Sequence, residues 1–150
     1  PPNRYAYYLT PQGFTEKTRL TAEFLSSSLT FFRRARVQYG EIYEQCTAAG
    51  WRHLALAGTG ELAEIAILTA REHDVVLLGV IVPVQPDGNC LGLPIVAGFG
   101  ALGHPDAVIL TALNGPQTAY DSLLESLPEN RVLVPKMLSV ERSLDVAAVP

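Results

Sequence analysis

Cysteine is scarce: Cys46 and Cys90 are the only two in 150 residues, they fall in different segments, and neither has the paired spacing of a zinc site. Two isolated thiols make no disulfide framework, and they read as the reduced cysteines of a cytoplasmic protein. No apolar run approaches the ~18 residues that a membrane span needs, and no signal peptide is visible. The opening Pro1-Pro2-Asn3 suggests that the sequence starts inside a longer chain. Catalytic constellations are also lacking. His53 stands at a strand start, His73 at a helix end and His104 in a Gly-His-Pro turn, and Cys90 has Asn89 beside it but no evident base. No nucleophile is matched with a base and an orienting group, so the expectation is a protein that is not an enzyme.

Charge, by contrast, is unevenly distributed. Residues 1–50 hold six Lys/Arg and four Glu, whereas residues 51–150 hold five basic residues and eleven acids. A mildly basic first third therefore precedes a strongly acidic remainder, and the two have different electrostatic neighbours.

The stretch that organises the chain is Arg52 to Leu68. An apolar run, Leu54-Ala55-Leu56-Ala57, meets Gly58-Thr59-Gly60; after Glu61 come Leu62, Ala63, Ile65, Ala66 and Leu68 at helical spacing. This is the pattern of a buried strand, a glycine turn and a helix N-terminus, with Ala63 at the third small position of a G-x-G-x-x-A motif. Val75 to Val82 reads as a second strand, apolar throughout as a strand covered on both faces must be. Residues 83–91 read as a polar loop, and Leu93 to Val96 as an edge strand or the approach to a small helix. Ala107 to Leu113 is a third clear strand, Gln117 to Leu127 an amphipathic helix, Arg131 to Pro135 a last strand and Ser143 onward a tail. The fold class expected is α/β: a long N-terminal dimerisation helix, then a small doubly wound parallel sheet. Residues 1–50 form the first domain and 51–150 the second.

The first domain opens with a short strand over residues 4–9. Thr10-Pro11 then supplies a helix cap and a proline at the first helical position, and Gly50 a C-terminal stop. A helix from Pro11 to Ala49 would span roughly 58 Å at about 1.5 Å per residue. Leu25, Phe32, Tyr39 and Cys46 recur every seven residues, as do Ser28, Ala35, Ile42 and Ala49. That recurrence is a seam for a second copy, so a homodimer through residues 11–49 is expected; the alternative is a helix packed on its own domain. Arg33, Arg34 and Arg36 read as a solvated face.

The candidate ligand site is Gly58, Thr59, Gly60, Glu61 and Leu62, bordered by Thr111 and Asn114 near the end of the third strand. Open parallel sheets bind ligands at that edge, where glycines admit close approach and helix N–H groups are free. A dinucleotide site adds an acid after the second strand to hold the adenosine ribose. Here that position reads Ile81-Val82-Pro83, with no acid before Asp87, so ordinary NAD is disfavoured. A nucleotide held otherwise, coenzyme A, a nucleotide-sugar, an apolar or sugar-like effector, or a purely structural turn stay open.

Two resemblances extend this. Tyr5-Ala6-Tyr7-Tyr8-Leu9-Thr10-Pro11-Gln12-Gly13 and the following Phe14 to Thr21 resemble the wing-exit strand and next helix of MarR-type winged-helix regulators, in particular the exopolysaccharide-associated subgroup. The resemblance implies a strand closing a wing, a helix that carries dimerisation, and DNA binding through an upstream helix-turn-helix that this chain lacks. Arg4, with Asn3 beside it, would touch phosphates from the wing. Residues 51–135 resemble the Rossmann domains of sugar-acyltransferase N-termini and CoA-binding proteins, and a winged helix joined to such a domain is similar in architecture to the redox-sensing Rex repressors. Together they imply the dimerising, effector-sensing portion of a bacterial transcription regulator. An enzyme domain acting on a nucleotide-sugar or acyl-CoA, or a ligand-free interaction module, are the alternatives.

Overall fold

The computed structural model describes residues 16–84 and 86–142, and the chain divides into two compact units, residues 1–34 and 35–150. The short strand expected over residues 4–9, the helix start at Thr10-Pro11 and the tail from Ser143 lie outside the described residues. Helix α1 runs Glu16–Ala48. It ends as its sequence dictates: Gly50 takes φ +81°, the Gly50 N–H donates to the Thr47 carbonyl and the Trp51 N–H to the Cys46 carbonyl. This glycine-closed pattern satisfies carbonyls that a helix end leaves open.

In the first unit α1 keeps its apolar side chains in solvent. Leu20, Phe24, Leu25, Leu29 and Phe32 are all exposed, and Glu16 and Arg19 form an exposed ion pair at 2.5 Å. In the second unit the same helix is core. Ala35, Tyr39, Ile42, Tyr43 and Cys46 are buried, so residues 35–48, grouped with the first domain from sequence, pack within the second unit. The seven-residue recurrence is thereby divided. Its later members, Tyr39, Ile42 and Cys46, are buried within the second unit, and Tyr39 bonds to the sheet at Leu110; the earlier members, Leu25 and Phe32, are exposed.

The second unit is a parallel sheet flanked by helices, the doubly wound layout expected. After α1 come β1 (His53–Ala57), α2 (Glu61–Ala70), β2 (Val76–Ile81), β3 (Asn89–Cys90) and β4 (Leu93–Val96); a 3-10 turn over Phe99–Leu102 leads to β5 (Ala107–Leu110), α3 (Pro116–Leu124) and β6 (Val132–Leu133). The spatial order is β3-β4-β2-β1-β5-β6. All neighbours are parallel except the β3–β4 hairpin. The central registers place Leu56 beside Val80 and Ile109, and Ala57 beside Ile81 and Leu110. Leu54 to Ala57 and Ala107 to Leu110 are buried without alternation, as strands covered on both faces must be.

Two local departures from the sequence reading have physical causes. The polar loop of residues 83–91 ends in a strand, because Leu91 (φ +48°) and Gly92 (φ +92°) turn the chain straight back into β4. Two successive positive φ values make the tight hairpin turn, but a leucine in the first place hides it. As a result Leu93 to Val96 is not an edge: β4 pairs with β2 through Ile95 and Val96 and with β3 through Leu93 and Pro94. Helix α2, expected to reach His73-Asp74, stops at Ala70, and Arg71, Glu72 and His73 tighten into turns donating three residues back.

The crossovers leave β1 in one direction through α2 and β5 in the other through α3, and the general right-handed rule for such connections assigns the two helices to opposite faces. Residues 35–48 of α1 fill the place beside α2. The Tyr43 hydroxyl donates to the Ala66 carbonyl of α2 at 2.7 Å, the Tyr39 hydroxyl to the Leu110 carbonyl of β5 at 2.9 Å, and the Met137 N–H to the Gln38 side chain at 2.8 Å. Among the described residues no helix is long and apolar enough to cross a membrane.

Candidate functional site

The strand order reverses between β1 and β5, and a cavity of about 880 Å³ opens at the C-terminal edge of those strands. Its floor is Ala57, Gly58, Thr59 and Gly60, with Glu61 at the start of α2. One wall is the end of β2, Ile81 to Val84; the other is Ala112 to Gly115, continued by Thr118, Ala119, Ser122 and Leu123 of α3. A crevice at this switch point is what the doubly wound topology provides.

The glycines have different jobs. Gly58 (φ +114°) lies against β5 so closely that a Cβ there would stand 2.6 Å from the Ala112 Cα. Its N–H donates to the Ile81 carbonyl, tying the turn to β2 as well. Gly60 (φ +116°) faces open space, so its requirement is conformational. Gly60 caps α2 and Gly115 (φ +64°) caps α3, neither with a side-chain hydrogen bond to the helix. Both cap residues line the cavity, so two helix N-termini with free first-turn N–H groups open onto one space.

Of the residues singled out from sequence, Gly58, Thr59, Gly60, Glu61 and Asn114 line the cavity. Leu62 and Thr111 are fully buried. Leu62 is core of α2. Thr111 works beneath the floor: its N–H donates to the Ala57 carbonyl at 2.9 Å and its hydroxyl to the Gly58 carbonyl at 2.5 Å, clamping the glycine turn to β5. Sequence reasoning missed the Val82-Pro83-Val84 wall and the hydroxyls of Thr118 and Ser122. The signal for the second was present, since Thr118 and Ser122 are four residues apart on α3 and share a helix face.

The cavity is mixed in character. Val82, Val84, Leu113 and Leu123 give it apolar surface, Thr59, Asn114, Thr118 and Ser122 give it hydroxyls and an amide, and among the described residues Glu61 is the one titratable side chain in its lining. The three histidines lie elsewhere. His53 Nδ1 is 4.0 Å from Asp106 at the opposite edge of the sheet. The His73 ring lies 5.5 Å from that of Tyr43, tilted at 47°, and His104 is exposed. Asp106 is structural: one carboxylate oxygen accepts from the Arg52 and His53 N–H groups at 3.1 Å, and its carbonyl accepts from Arg131, whose guanidinium covers Trp51 at 4.5 Å. Both thiols are buried. Burial, and secondarily the Asp106 carboxylate, pushes the Cys46 thiol up to about 11; burial, then Glu64, raises Cys90. Neither is an activated nucleophile. Among the described residues no group of three or more His, Cys, Asp or Glu is arranged to hold a metal ion.

Comparison with protein-family models, with curated proteins and with solved structures finds no match to this chain. The architecture is Rossmann-like in the general sense, and the finer likeness to MarR-type regulators rests on residues 5–21, most of which lie outside the described residues.

Proposed function

We propose that residues 35–142 form an effector-binding domain, and that the chain is the sensing and dimerising portion of a transcription regulator rather than an enzyme. The observation that carries this reading is the cavity itself, about 880 Å³ at the switch point, with two uncapped helix N-termini at its rim. Its size suits a nucleotide-like molecule, with coenzyme A and a nucleotide-sugar as the other classes. The free N–H groups suit an anionic group, and the Val82-Pro83-Val84 wall suits a flat or apolar body. A catalytic reading needs a base or nucleophile within reach, and among the described residues the lining supplies only Glu61, at a position where a carboxylate also complements the helix dipole.

A sensor needs its site linked to something that moves. The buried Tyr39 and Tyr43 hydroxyls bind α1 to β5 and to α2, and both of those elements run into the cavity lining. A ligand that shifts the start of α2 or the Ala112–Gly115 segment therefore pulls on α1. DNA binding in this reading belongs to an upstream domain, as the similarity of Tyr5 to Thr21 to MarR-type regulators suggests.

The test is calorimetric titration with coenzyme A, UDP-sugars and NADH, beside native mass spectrometry of the freshly purified protein for retained mass. Ser122→Trp, which fills the cavity from an exposed helix position, should abolish binding of whichever ligand is found while leaving the thermal unfolding midpoint nearly unchanged. Binding that survives Ser122→Trp, or no binding by a folded protein, counts against the reading.

A further inference from the structure

A second cavity, of about 530 Å³, shares no lining residue with the crevice. One wall is the packed half of α1, where Gln38, Glu41, Ile42 and Gln45 fall three and four residues apart and share a face. The other is the chain from Leu133 to Arg142, which leaves β6, makes a 3-10 turn over Lys136–Leu138 and takes φ +51° at Ser139. The Met137 N–H donates to the Gln38 side chain at 2.8 Å and pins the two walls together. The volume is in the range that holds a small molecule.

Three charged side chains line this space, Glu41 from α1 and Lys136 and Arg142 from the other wall. Among the described residues none of them is in an ion pair, and the Glu41 and Lys136 side chains make no hydrogen bond. Elsewhere the chain closes such charges onto each other, as Arg36 does on Glu72 and Arg52 on Asp74. Here an acid and two bases border one cavity and stay apart, while Ile42, Leu133 and Val140 give it apolar surface. Arg142 is also held in place. Its guanidinium lies 5.4 Å from the centre of the Tyr120 ring and donates to the Glu129 carbonyl at 3.1 Å. The Glu129 carboxylate accepts from the Tyr120 hydroxyl instead, so the guanidinium is fixed without a carboxylate of its own.

We propose that this cavity binds a free α-amino acid with an aliphatic side chain. The ligand's carboxylate meets Lys136 and the fixed Arg142 fork, its ammonium meets Glu41, and its side chain lies on Ile42, Leu133 and Val140. Opposite charges on the two walls select the occupant. A simple anion suits Lys136 and Arg142 but is repelled by Glu41, and a simple amine meets the reverse. A molecule carrying both charges satisfies both walls at once. The site does not depend on any ligand in the crevice.

The whole chain should bind leucine with a Kd of roughly 10 µM to 1 mM in calorimetric titration, a modest affinity for a small ligand. Two fragments separate the charges: 4-methylpentanoate lacks the ammonium of leucine, and 3-methylbutylamine lacks the carboxylate. Each should bind at least about tenfold more weakly than leucine. Glu41→Gln and Lys136→Gln, both at exposed positions, should each weaken leucine roughly tenfold and leave the thermal unfolding midpoint nearly unchanged. Glu41→Gln should also narrow the gap between leucine and 4-methylpentanoate, because the acid that rejects a lone anion is gone. Ser122→Trp, in the crevice, should leave leucine binding as it is. No uptake of leucine by the folded protein at roughly 10 mM, a fragment that binds as tightly as leucine, or an affinity that both glutamine variants leave unchanged overturns the proposal. Leucine binding lost in Ser122→Trp would put the ligand in the crevice and overturns it equally.

Discussion

The Tyr39 hydroxyl donates to the Leu110 carbonyl across 2.9 Å of fully buried space. Leu110 is the last residue of β5, one position beyond Ile109, which is the last to be matched by β6 through Leu133. Its carbonyl has run past the end of the neighbouring strand, and a side chain from α1 completes the pairing that the short β6 leaves out. Tyr39→Phe keeps the ring and removes the donor, leaving a buried acceptor unsatisfied at a cost of about 1–3 kcal/mol. Chemical denaturation should show that loss as a lower midpoint at unchanged slope.

The same tyrosines give stability a pH dependence at the alkaline side. Burial raises the Tyr39 hydroxyl well above its ordinary range, and Tyr43 is raised by burial first and then by Tyr39 and Cys46. A group whose folded value is raised contributes stability that is complete below the unfolded value and is lost above it. The unfolded chain ionises its tyrosines near ~10, so stability should fall as pH rises through about 10 and continue falling beyond. Tyr39→Phe combined with Tyr43→Phe should flatten that decline in unfolding curves taken between pH 8 and 11, values chosen around the free tyrosine range. An undiminished decline in the double variant would show that other groups are responsible.

Cys46 provides a second measure of the packed half of α1. Its thiol is fully buried and pushed up to about 11, so an aromatic disulfide reagent at neutral pH should leave it unmodified in the folded protein and react promptly in denaturant. Rapid native labelling of Cys46 would mean that residues 35–48 leave the sheet easily.

Gly58 and Gly60 separate two reasons for a glycine. An alanine at Gly58 must place its Cβ 2.6 Å from backbone of Ala112 and hold φ at +114°, and neither neighbour is a flexible side-chain tip. Gly58→Ala should cost more than about 3 kcal/mol, in the class of severe changes with a named cause. Gly60→Ala meets no neighbour within 4 Å and should cost only the backbone strain, about 1–3 kcal/mol. Thermal unfolding of the two variants checks the order, and equal effects would mean that the clash relaxes without cost.

Much of this architecture was legible in the chain. Leu54 to Ala57 and Ala107 to Leu110 read as doubly covered strands, because burial on both faces removes alternation and leaves an apolar run. The glycine turn after β1 and the switch-point edge followed from that order of elements. What stayed hidden depends on tertiary partners. The seven-residue recurrence in α1 looks continuous because an apolar stripe keeps its spacing whether it is packed or left exposed; only the burial of Tyr39 and Cys46 beside the exposure of Leu25 divides it. Thr111 was placed correctly along the chain, but its buried hydroxyl serves the Gly58 carbonyl, a pairing between residues far apart in sequence. The Leu91-Gly92 hairpin was missed because a leucine at positive φ carries no turn signature.

The end of β2 bears on the ligand. The strand enters the cavity wall as Ile81-Val82-Pro83-Val84, and the Val82 N–H is held by the Val96 carbonyl at 2.8 Å, which fixes the backbone where a dinucleotide fold sets the acid that binds the adenosine ribose. Without that acid a ribose placed there would lose its hydrogen bonds and face valine instead. NADH should therefore bind weakly to the wild type. Val82→Asp restores a carboxylate on an already positioned backbone, and hydrogen bonds to a charged group contribute about 1.5–3 kcal/mol, so NADH affinity should rise by roughly tenfold or more. Glu61 stands across the same cavity and makes a second carboxylate less welcome, so the control is Val82→Asn, which offers a hydrogen bond without charge. Calorimetric titration of the three proteins with NADH measures this directly. Tight binding by the wild type would show that the apolar wall does not exclude the dinucleotide, and an unimproved Val82→Asp would place the ribose elsewhere in the crevice.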